Sequence, residues 1–483
     1  GATSCILRMD LMPLSESGTV AARIVSVRKT MLSIPRTISS AVSVRSAAAA
    51  HAAPAAAAAA AAAEPVRTIL SGPAGGIVGA LEVSRATGFP NIISFDMGGT
   101  STDVALCESE GLRTTNEAII AGLPVAVSVL DIHTVGAGGG SIARVDDGGS
   151  LRVGPESAGA DPGPACYGRS LLPTVTDAHV VLDHFGGGGL LGGEFSLDED
   201  RANTAMSESA TAMSDAAGRK IRAHEAAEGV VAVANSHMER ALRQISVERG
   251  YDPRDFSLVP FGGAGGLHAV ELAQALAIPR VIVPVAPGAL SAIGVAAANV
   301  VMDQSQTVML KHGAREVKTK LELLLRKMER TARAKLRQEG FLAERQRHEG
   351  SLAMRYEGQS FELEIKVGAN DLAASFHRAH QGRYGYSQPA NPIEIVTVRL
   401  RSSGLVEQRK EKAEKATRRF FAAKEHRTAY LDGKKIRVGI YERGQLQAGM
   451  KLRAPCIVKE YSATTLIPAG VKCEVDPFGN LLI

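Results

Sequence analysis

The sequence predicts an α/β fold that gives way to a β-rich C-terminal region, and three observations predict it. First, apolar strands run into glycine turns: Asn91-Ile92-Ile93-Ser94 leads into Phe95-Asp96-Met97-Gly98-Gly99-Thr100-Ser101-Thr102-Asp103, and the stretch 256–261 leads into Gly262-Gly263-Ala264-Gly265-Gly266 and then a helix over about 267–276. Second, residues 226–248 place Val230, Val233, Ala234, Met238, Ala241, Leu242 and Ile245 at helical spacing, and a charged helix is expected over 321–338. Third, from Leu352 onward short alternations such as Phe361-Glu362-Leu363-Glu364-Ile365 and Val396-Thr397-Val398-Arg399-Leu400 read as strands. With 483 residues, 45% of them hydrophobic, the chain can build a core in each of two or more domains. The expected division is a low-complexity arm over 1–63, an α/β domain over 64–303 and a β-rich domain over 304–483.

In chain order, the arm comes first. Residues 17–63 hold no acid, and Arg23, Arg28, Lys29, Arg36 and Arg45 are spread among Ser, Val and Ala. That composition suits an organelle transit peptide as well as it suits non-native sequence upstream of a broken reading frame. Residues 55–63 are all alanine, without an apolar stripe that needs a partner. A helix over 77–87 is expected after a turn at Ser71-Gly72-Pro73-Ala74-Gly75-Gly76. Ser141-Ile142-Ala143-Arg144-Val145 and Ser150-Leu151-Arg152-Val153, joined across Asp146-Asp147-Gly148-Gly149, form an expected β-hairpin. Residues 409–424 are basic and polar, which suits a linker or an exposed insertion.

The chemistry lies in the glycine turns. Glycines let backbone N–H groups approach phosphate oxygens, the hydroxyls of Thr100, Ser101 and Thr102 donate, and Asp96 or Asp103 can hold Mg²⁺ or orient a water. A Gly-Gly turn between strands serves a plain hairpin equally well. The second cluster, Gly262, Gly263, Ala264 and Gly265, precedes a helix start, whose unpaired N–H groups favour negative charge; close helix–strand packing also wants glycine there. A third cluster, Gly136-Ala137-Gly138-Gly139-Gly140-Ser141, follows Leu130-Asp131-Ile132-His133-Thr134-Val135. Together the three loops suggest use of ATP.

Dense motifs carry a resemblance. Ser71 to Gly76, the Asp96 to Asp103 turn, Asp131 to Ser141, residues 154–168, Pro173-Thr174-Val175-Thr176-Asp177-Ala178, residues 262–269 and 283–292, Arg355-Tyr356-Glu357-Gly358-Gln359-Ser360-Phe361 and Pro477-Phe478-Gly479-Asn480-Leu481 are together similar to the hydantoinase A/5-oxoprolinase family. The likeness runs from about Glu64 to the end. It implies an actin-like, sugar-kinase-like ATPase lobe with a mixed sheet and flanking helices, followed by a β-rich α+β domain. It further implies ATP and Mg²⁺ as cofactors and a hydantoinase B-like partner, with a homo- or hetero-oligomer open. The reaction implied is ATP-dependent hydrolysis of a cyclic amide of the 5-oxoproline or hydantoin type, through phosphorylation of the carbonyl oxygen. A ketone carboxylase subunit is the alternative.

On that resemblance, Gly98, Gly99, Thr100, Ser101 and Thr102 form a phosphate loop, with Gly138 and Gly139 beside it. Gly262, Gly263, Ala264 and Gly265 form the adenosine-side loop, Asp96 is the metal ligand, and Asp96, Asp103 and His133 are the catalytic candidates. His133 would bind substrate or move a proton; its bland reading is a hydrogen-bonded core histidine. The family pattern has an earlier lobe with its own Gly-Gly-Thr-x-Thr-Asp turn, which does not occur before Glu64; a non-catalytic remnant is therefore a third reading. The pattern also has Asn at the position of His179 and Pro at that of Gly266.

The remaining residues bound the function more loosely. A formal charge of +5 owes much to the arm and to 401–419, which gives little reason to expect nucleic acid. Fifty glycines against no tryptophan favour tight backbone contacts over an aromatic-lined surface. Cys5, Cys107, Cys166, Cys456 and Cys473 are widely spaced, so a reducing, cytoplasmic setting is expected, with organellar import if the arm is a transit peptide. Cys166 reads as a packed thiol ahead of a nucleophile. Outside the alanine-rich arm no run of eighteen apolar residues occurs, and no membrane span is expected. Asp177 suits a helix cap or the cleft, and His268 a phosphate or ribose contact or a solvent-facing position.

Overall fold

In the computed structural model the described residues are 71–483, apart from 110, 116, 117, 121, 122, 126–128, 369, 370, 408–412, 418, 419 and 424. The expected arm over 1–63 lies outside them. The described chain divides into two compact units, residues 71–296 with 413–483, and residues 297–407.

The first unit is built on a mixed sheet. Helix α1 (Ser71–Thr87) precedes β1 (Ile92–Met97), which pairs antiparallel with β2 (Thr102–Glu108); β3 (His133–Val135) also lies antiparallel against β2. The hairpin β4 (Ser141–Val145) and β5 (Leu151–Ser157) forms as expected. Then come α2 (Val175–Val181), α3 (Glu199–Ala217) and α4 (Ala223–Ile245). Strand β6 (Ser257–Phe261) returns to pair parallel with β1, and α5 (Gly265–Ala275), β7 (Ile282–Val283) and α6 (Leu290–Ala297) follow.

Period-two alternation gives β1 and β2 two different faces. Ile93, Phe95, Met97, Val104 and Leu106 join the main core with Val230, Ala234, Met238, Leu242 and Ile245 of α4. Ile92, Ala105 and Cys107 face the other way, into a cluster with Ile77, Ala80 and Leu81 of α1. Each fully buried aliphatic side chain of α4 contributes about 1.5–3 kcal/mol by leaving water, which fixes this amphipathic helix against the sheet.

Helix α1 already holds Ser71, six residues before the expected start, so the Ser71 to Gly76 segment is helix and not turn. Its glycines serve packing. A Cβ on Gly294 would sit 1.8 Å from the Gly75 carbonyl oxygen, and one on Gly75 would sit 2.6 Å from the Ser291 carbonyl oxygen, so α1 and α6 touch backbone to backbone.

The expected single domain over 304–483 is divided in the structure. Residues 413–483 build onto the first unit: the strand Leu481–Leu482 pairs with β7, and Tyr441, Met450, Cys456, Val458, Ile467, Cys473 and Val475 share the main core with β1 and α4. Hydrophobic burial groups these residues by space and not by chain order. The described parts of 409–424 are tied down as well, Glu414 N–H donating to the Pro477 carbonyl and Thr417 N–H to the Ala448 carbonyl, each at 2.8 Å.

The second unit is a four-stranded antiparallel sheet in the order Val300–Lys311, Ile393–Gly404, Gln346–Tyr356, Leu363–Lys366, with helices Val317–Gln338 and Leu372–Tyr384. Its core joins Leu321, Met328, Ala332, Met354, Tyr356, Phe376, Ile395 and Val398. No helix among the described residues is long and apolar enough to cross a membrane.

Candidate functional site

Register brings the two distant glycine turns together. Asp96 sits opposite Asp103 on β2 and beside Phe261 on β6, so the Gly98–Thr102 turn and the Gly262 turn leave the sheet at the same end. The approach is close. A Cβ on Gly262 would lie 2.4 Å from the Met97 carbonyl oxygen and 2.6 Å from the Asp96 carboxylate, and Gly262 has φ of +79°, so only glycine fits there.

The third glycine cluster forms the floor of the first. Gly139 N–H donates to the Gly98 carbonyl at 3.0 Å and Gly140 N–H to the Gly99 carbonyl at 2.6 Å. A Cβ on Gly138 would meet Ser101 N and Thr100 C at 2.7 Å. The Thr102 hydroxyl is buried and donates to the Ala137 carbonyl at 2.5 Å, so it holds the loops to each other and is turned away from a ligand. Thr176, at the start of α2, fixes the cluster from below through hydrogen bonds to the Gly139 carbonyl from both its N–H and its hydroxyl, each at 2.8 Å. The turn is therefore held rigidly while Gly98 is half-buried and Gly99 and Thr100 remain exposed.

The two carboxyl groups differ in surroundings. Burial, and then the negative charge of Asp103, push the Asp96 carboxyl up to about 7. Burial also raises Asp103, but the Thr134 hydroxyl donates to its carboxylate and opposes the rise. Such a half-buried pair is what a divalent cation relieves, and Mg²⁺ takes one or two carboxylates plus phosphate oxygens and water. The absence of a cluster of three or more His, Cys, Asp or Glu ligands among the described residues is compatible with that mode. The donor set fits Mg²⁺ at Asp96.

His133 is not part of this arrangement. It lies opposite Val104, whereas Thr134 lies opposite Asp103, and adjacent strand positions point to opposite faces. His133 thus faces away from the carboxylate pair, toward Asp131, Glu248 and Arg249, where burial first and Arg249 second lower its proton affinity.

Other expected residues are structural. Asp177 is fully buried at the third position of α2, with Thr174 as the cap; it accepts from Thr174 N (2.9 Å), Thr174 Oγ1 (2.7 Å), Ala165 N (3.1 Å) and Cys166 N (2.7 Å). Cys166 is buried and its thiol is pushed up by burial and by Asp177, consistent with a packed thiol. His268 neither faces solvent nor touches the glycine turn: its Nε2 contacts His179 Nε2 at 3.1 Å and its Nδ1 contacts Asn235 Oδ1 at 2.6 Å, in the interior.

Sequence reasoning missed Thr134, whose role follows only from register, and it missed residues 460–465. The Ser462 carbonyl oxygen lies 3.5 Å from where a Cβ on Gly263 would be, and Ser462 packs directly on Gly288. A Cβ on Gly266 would meet Thr465 Oγ1 at 2.6 Å, so the glycine that stands where the family pattern has Pro makes room for this strand.

A mixed sheet with two glycine turns and a carboxylate pair at one end defines a protein of the α/β class with one candidate site at that end of the sheet. The profile of the Hydantoinase/oxoprolinase family matches residues 54–304, and that of the Hydantoinase/oxoprolinase C-terminal domain matches 389–481. The chain belongs to the hydantoinase/oxoprolinase family. It is 33% identical over 430 residues to caprolactamase subunit alpha of Pseudomonas jessenii, and 31% identical over 443 residues to 5-oxoprolinase 1 of Arabidopsis thaliana. These alignments cover 85% and 86% of this chain, but 61% and 34% of the relatives, so the chain spans under two thirds of the length of either. Among solved structures it is similar to nucleotide-free acetone carboxylase (TM-score 0.74, 25% identity, 86% of this chain and 61% of that one). It is also similar to the ATP-dependent caprolactamase of Pseudomonas jessenii (TM-score 0.68, 31% identity, 85% and 61%).

Proposed function

We propose that this chain forms the nucleotide-binding part of an ATP-dependent hydrolase that opens a cyclic amide of the 5-oxoproline or hydantoin type, on an actin-like lobe and together with a hydantoinase B-like subunit. The observation that carries the reading is the meeting of the Asp96–Asp103 turn and Gly262 at one sheet end. Relatives named as caprolactamase and 5-oxoprolinase support the substrate class. Bound MgATP would supply a phosphoryl group to the amide carbonyl oxygen, making the ring carbon electrophilic. The chain's own part is positioning and electrostatics. Asp96 would hold the metal, Asp103 would orient water beside the Thr134 hydroxyl, and Gly99, Thr100 and Ser101 would present N–H and O–H groups to phosphate oxygens, while the Gly98 N–H closes the turn on the Ser101 carbonyl at 3.1 Å. Gly262, Gly263, Ala264 and Gly265 would take the adenosine side.

The test is ATP hydrolysis by the purified chain, alone and with a hydantoinase B-like subunit, with and without 5-oxoproline or hydantoin. Substrate-stimulated turnover that Asp96→Ala abolishes supports the reading; thermal stability indifferent to nucleotide in every mixture refutes it. A ketone carboxylase subunit is the second reading, favoured by the higher TM-score to acetone carboxylase, and acetone with bicarbonate in the same assay distinguishes it.

A further inference from the structure

Helices α2 and α5 each support one of the two glycine turns, and a pair of buried histidines joins them. Thr176, the second residue of α2, gives both its N–H and its hydroxyl to the Gly139 carbonyl at 2.8 Å, and the Gly139 N–H in turn holds the Gly98 carbonyl at 3.0 Å. His179 follows Thr176 by one turn, on the same side of α2. Helix α5 begins at Gly265, within the other glycine turn, and carries His268 a single turn further on. His179 Nε2 lies 3.1 Å from His268 Nε2, and both residues are fully buried. Gly98, Gly139, Thr176, His179, His268 and Gly265 are therefore linked in one path that runs behind the sheet end without using the sheet.

The path matters because glycines hold nothing by themselves. Residues 262–266 are four glycines and one alanine, so no side chain longer than a methyl fixes their orientation. The hydrogen bond that ties the Ala264 N–H to the Met97 carbonyl is long, at 3.4 Å. Orientation then falls to the residues that follow, Leu267 and His268. Leu267 packs among Ile440, Ile457 and Leu466, and apolar contacts carry no direction. The hydrogen bond between the two rings does carry one. The Tyr430 carbonyl, 2.8 Å from His184 Nε2, can only accept, so the neutral rings pass their N–H groups toward it and His268 Nε2–H donates to His179 Nε2.

We propose that His179 is a positioning residue of the nucleotide site: its bond to His268 is a strut between the helix under the Gly98 turn and the helix that opens from the Gly262 turn, and it sets the orientation in which residues 262–265 meet a nucleotide. The nucleotide part of this inference rests on the function proposed above; the strut itself does not.

Two variants of the full chain cut one contact each. The carboxamide of Gln reaches about as far as imidazole Nε2, and that of Asn about as far as Nδ1. His179→Gln thus keeps an acceptor for His268 and gives up His184, whereas His179→Asn keeps a donor for His184, whose Nδ1 lies 2.9 Å from His179 Nδ1, and gives up His268. Each variant is uncharged and leaves one buried polar group unpaired, so a merely stabilising role would affect both alike. Hydrogen exchange is measured without nucleotide on peptides covering 262–267, where the Ala264 N–H and the Leu267 N–H, which donates to the Ala264 carbonyl at 3.0 Å, report on the turn. Strand β1, paired on both sides, is the control for intact folding. ADP affinity is measured in parallel by calorimetry. The expected result is roughly tenfold faster exchange over 262–267 and roughly tenfold weaker ADP binding in His179→Asn than in His179→Gln, with β1 unchanged in each; tenfold is about 1.4 kcal/mol, the scale of one buried N–H left without its acceptor. With a wild type that binds ADP, equal exchange or equal ADP affinity in the two variants overturns the proposal. If the wild-type chain binds no ADP, the function proposed above falls, and the exchange comparison still decides the strut. Should the variants at 179 not fold, His268→Gln, which keeps the reach to His179, is compared in the same way with His268→Asn, which keeps only the contact with Asn235.

Discussion

Acid should loosen the first unit through three histidines in its interior. His184 Nε2 contacts the Tyr430 carbonyl at 2.8 Å, His184 Nδ1 contacts His179 Nδ1 at 2.9 Å, and His179 Nε2 contacts His268 Nε2 at 3.1 Å. Three neutral rings carry three N–H groups, and these three contacts use all of them. The tautomers are then fixed in sequence from the Tyr430 carbonyl, leaving His268 Nδ1 as an acceptor, which requires the Asn235 amide to be turned so that Nδ2, buried and otherwise without a partner, takes the place of Oδ1 and donates to it. A second added proton would set two N–H groups against each other. Burial lowers all three histidines, His184 to about 4 and His268 to about 3, with His179 further depressed by His268 and His184. The charged groups near the chain are few: Glu271, itself raised by burial, reaches Asn235, and Asp183 beyond His184 is occupied by Arg427 at 3.0 Å.

The sign follows from which state takes protons first. An unfolded histidine titrates near 6.5, above its folded value, so stability is complete above 6.5 and falls as pH drops toward 4. For His184 alone the loss at pH 5 is about 2 kcal/mol, and near zero at pH 7.5. His184→Gln cannot titrate. It should be less stable than wild type at pH 7.5 by about 1–3 kcal/mol for the broken contacts, and this gap should shrink by about 2 kcal/mol at pH 5. Urea unfolding followed by circular dichroism at pH 5.0, 6.0 and 7.5 measures it. Asp96 and Glu460, both raised to about 7, lose stability in the opposite direction, as pH rises from about 4 through 7, but they are common to both chains and cancel. A gap that stays constant with pH refutes the neutral chain.

Further outcomes follow from single contacts. Gly262→Ala should cost more than about 2 kcal/mol in urea unfolding and abolish nucleotide binding, because its Cβ would enter the Met97 carbonyl at 2.4 Å from a φ of +79°. Asp177→Ala leaves three buried N–H donors and the Thr174 hydroxyl without their acceptor; a loss of about 3 kcal/mol is expected, with Asp177→Asn recovering part of it. Cys107, Cys166, Cys456 and Cys473 are buried with thiols pushed up by burial, Cys107 and Cys473 to about 12. Native alkylation followed by peptide mass spectrometry should therefore leave all four unmodified until the chain is unfolded.

What the sequence determined by itself was local. The periodicity of α4, the hairpin at Asp146 to Gly149, and the strand, glycine turn and helix at 257–275 depend on neighbours within a few residues, and each formed within a few residues of its expected bounds. The same local logic put a turn where α1 already runs, because Gly75 and Gly76 make turns and pack helices with equal ease until a partner such as Gly294 is known. Only the tertiary structure decided which residues share a space. Strand register turned His133 away from Asp103 and put Thr134 beside it, a choice of face that one position of slip would reverse. Burial gathered His268 onto His179 and His184 from a separate place in the chain, and it folded residues 460–465 back onto a glycine turn about two hundred positions earlier. Sequence spacing encodes what a segment does to itself; pairing across long loops is settled by the apolar area that only the assembled core removes from water.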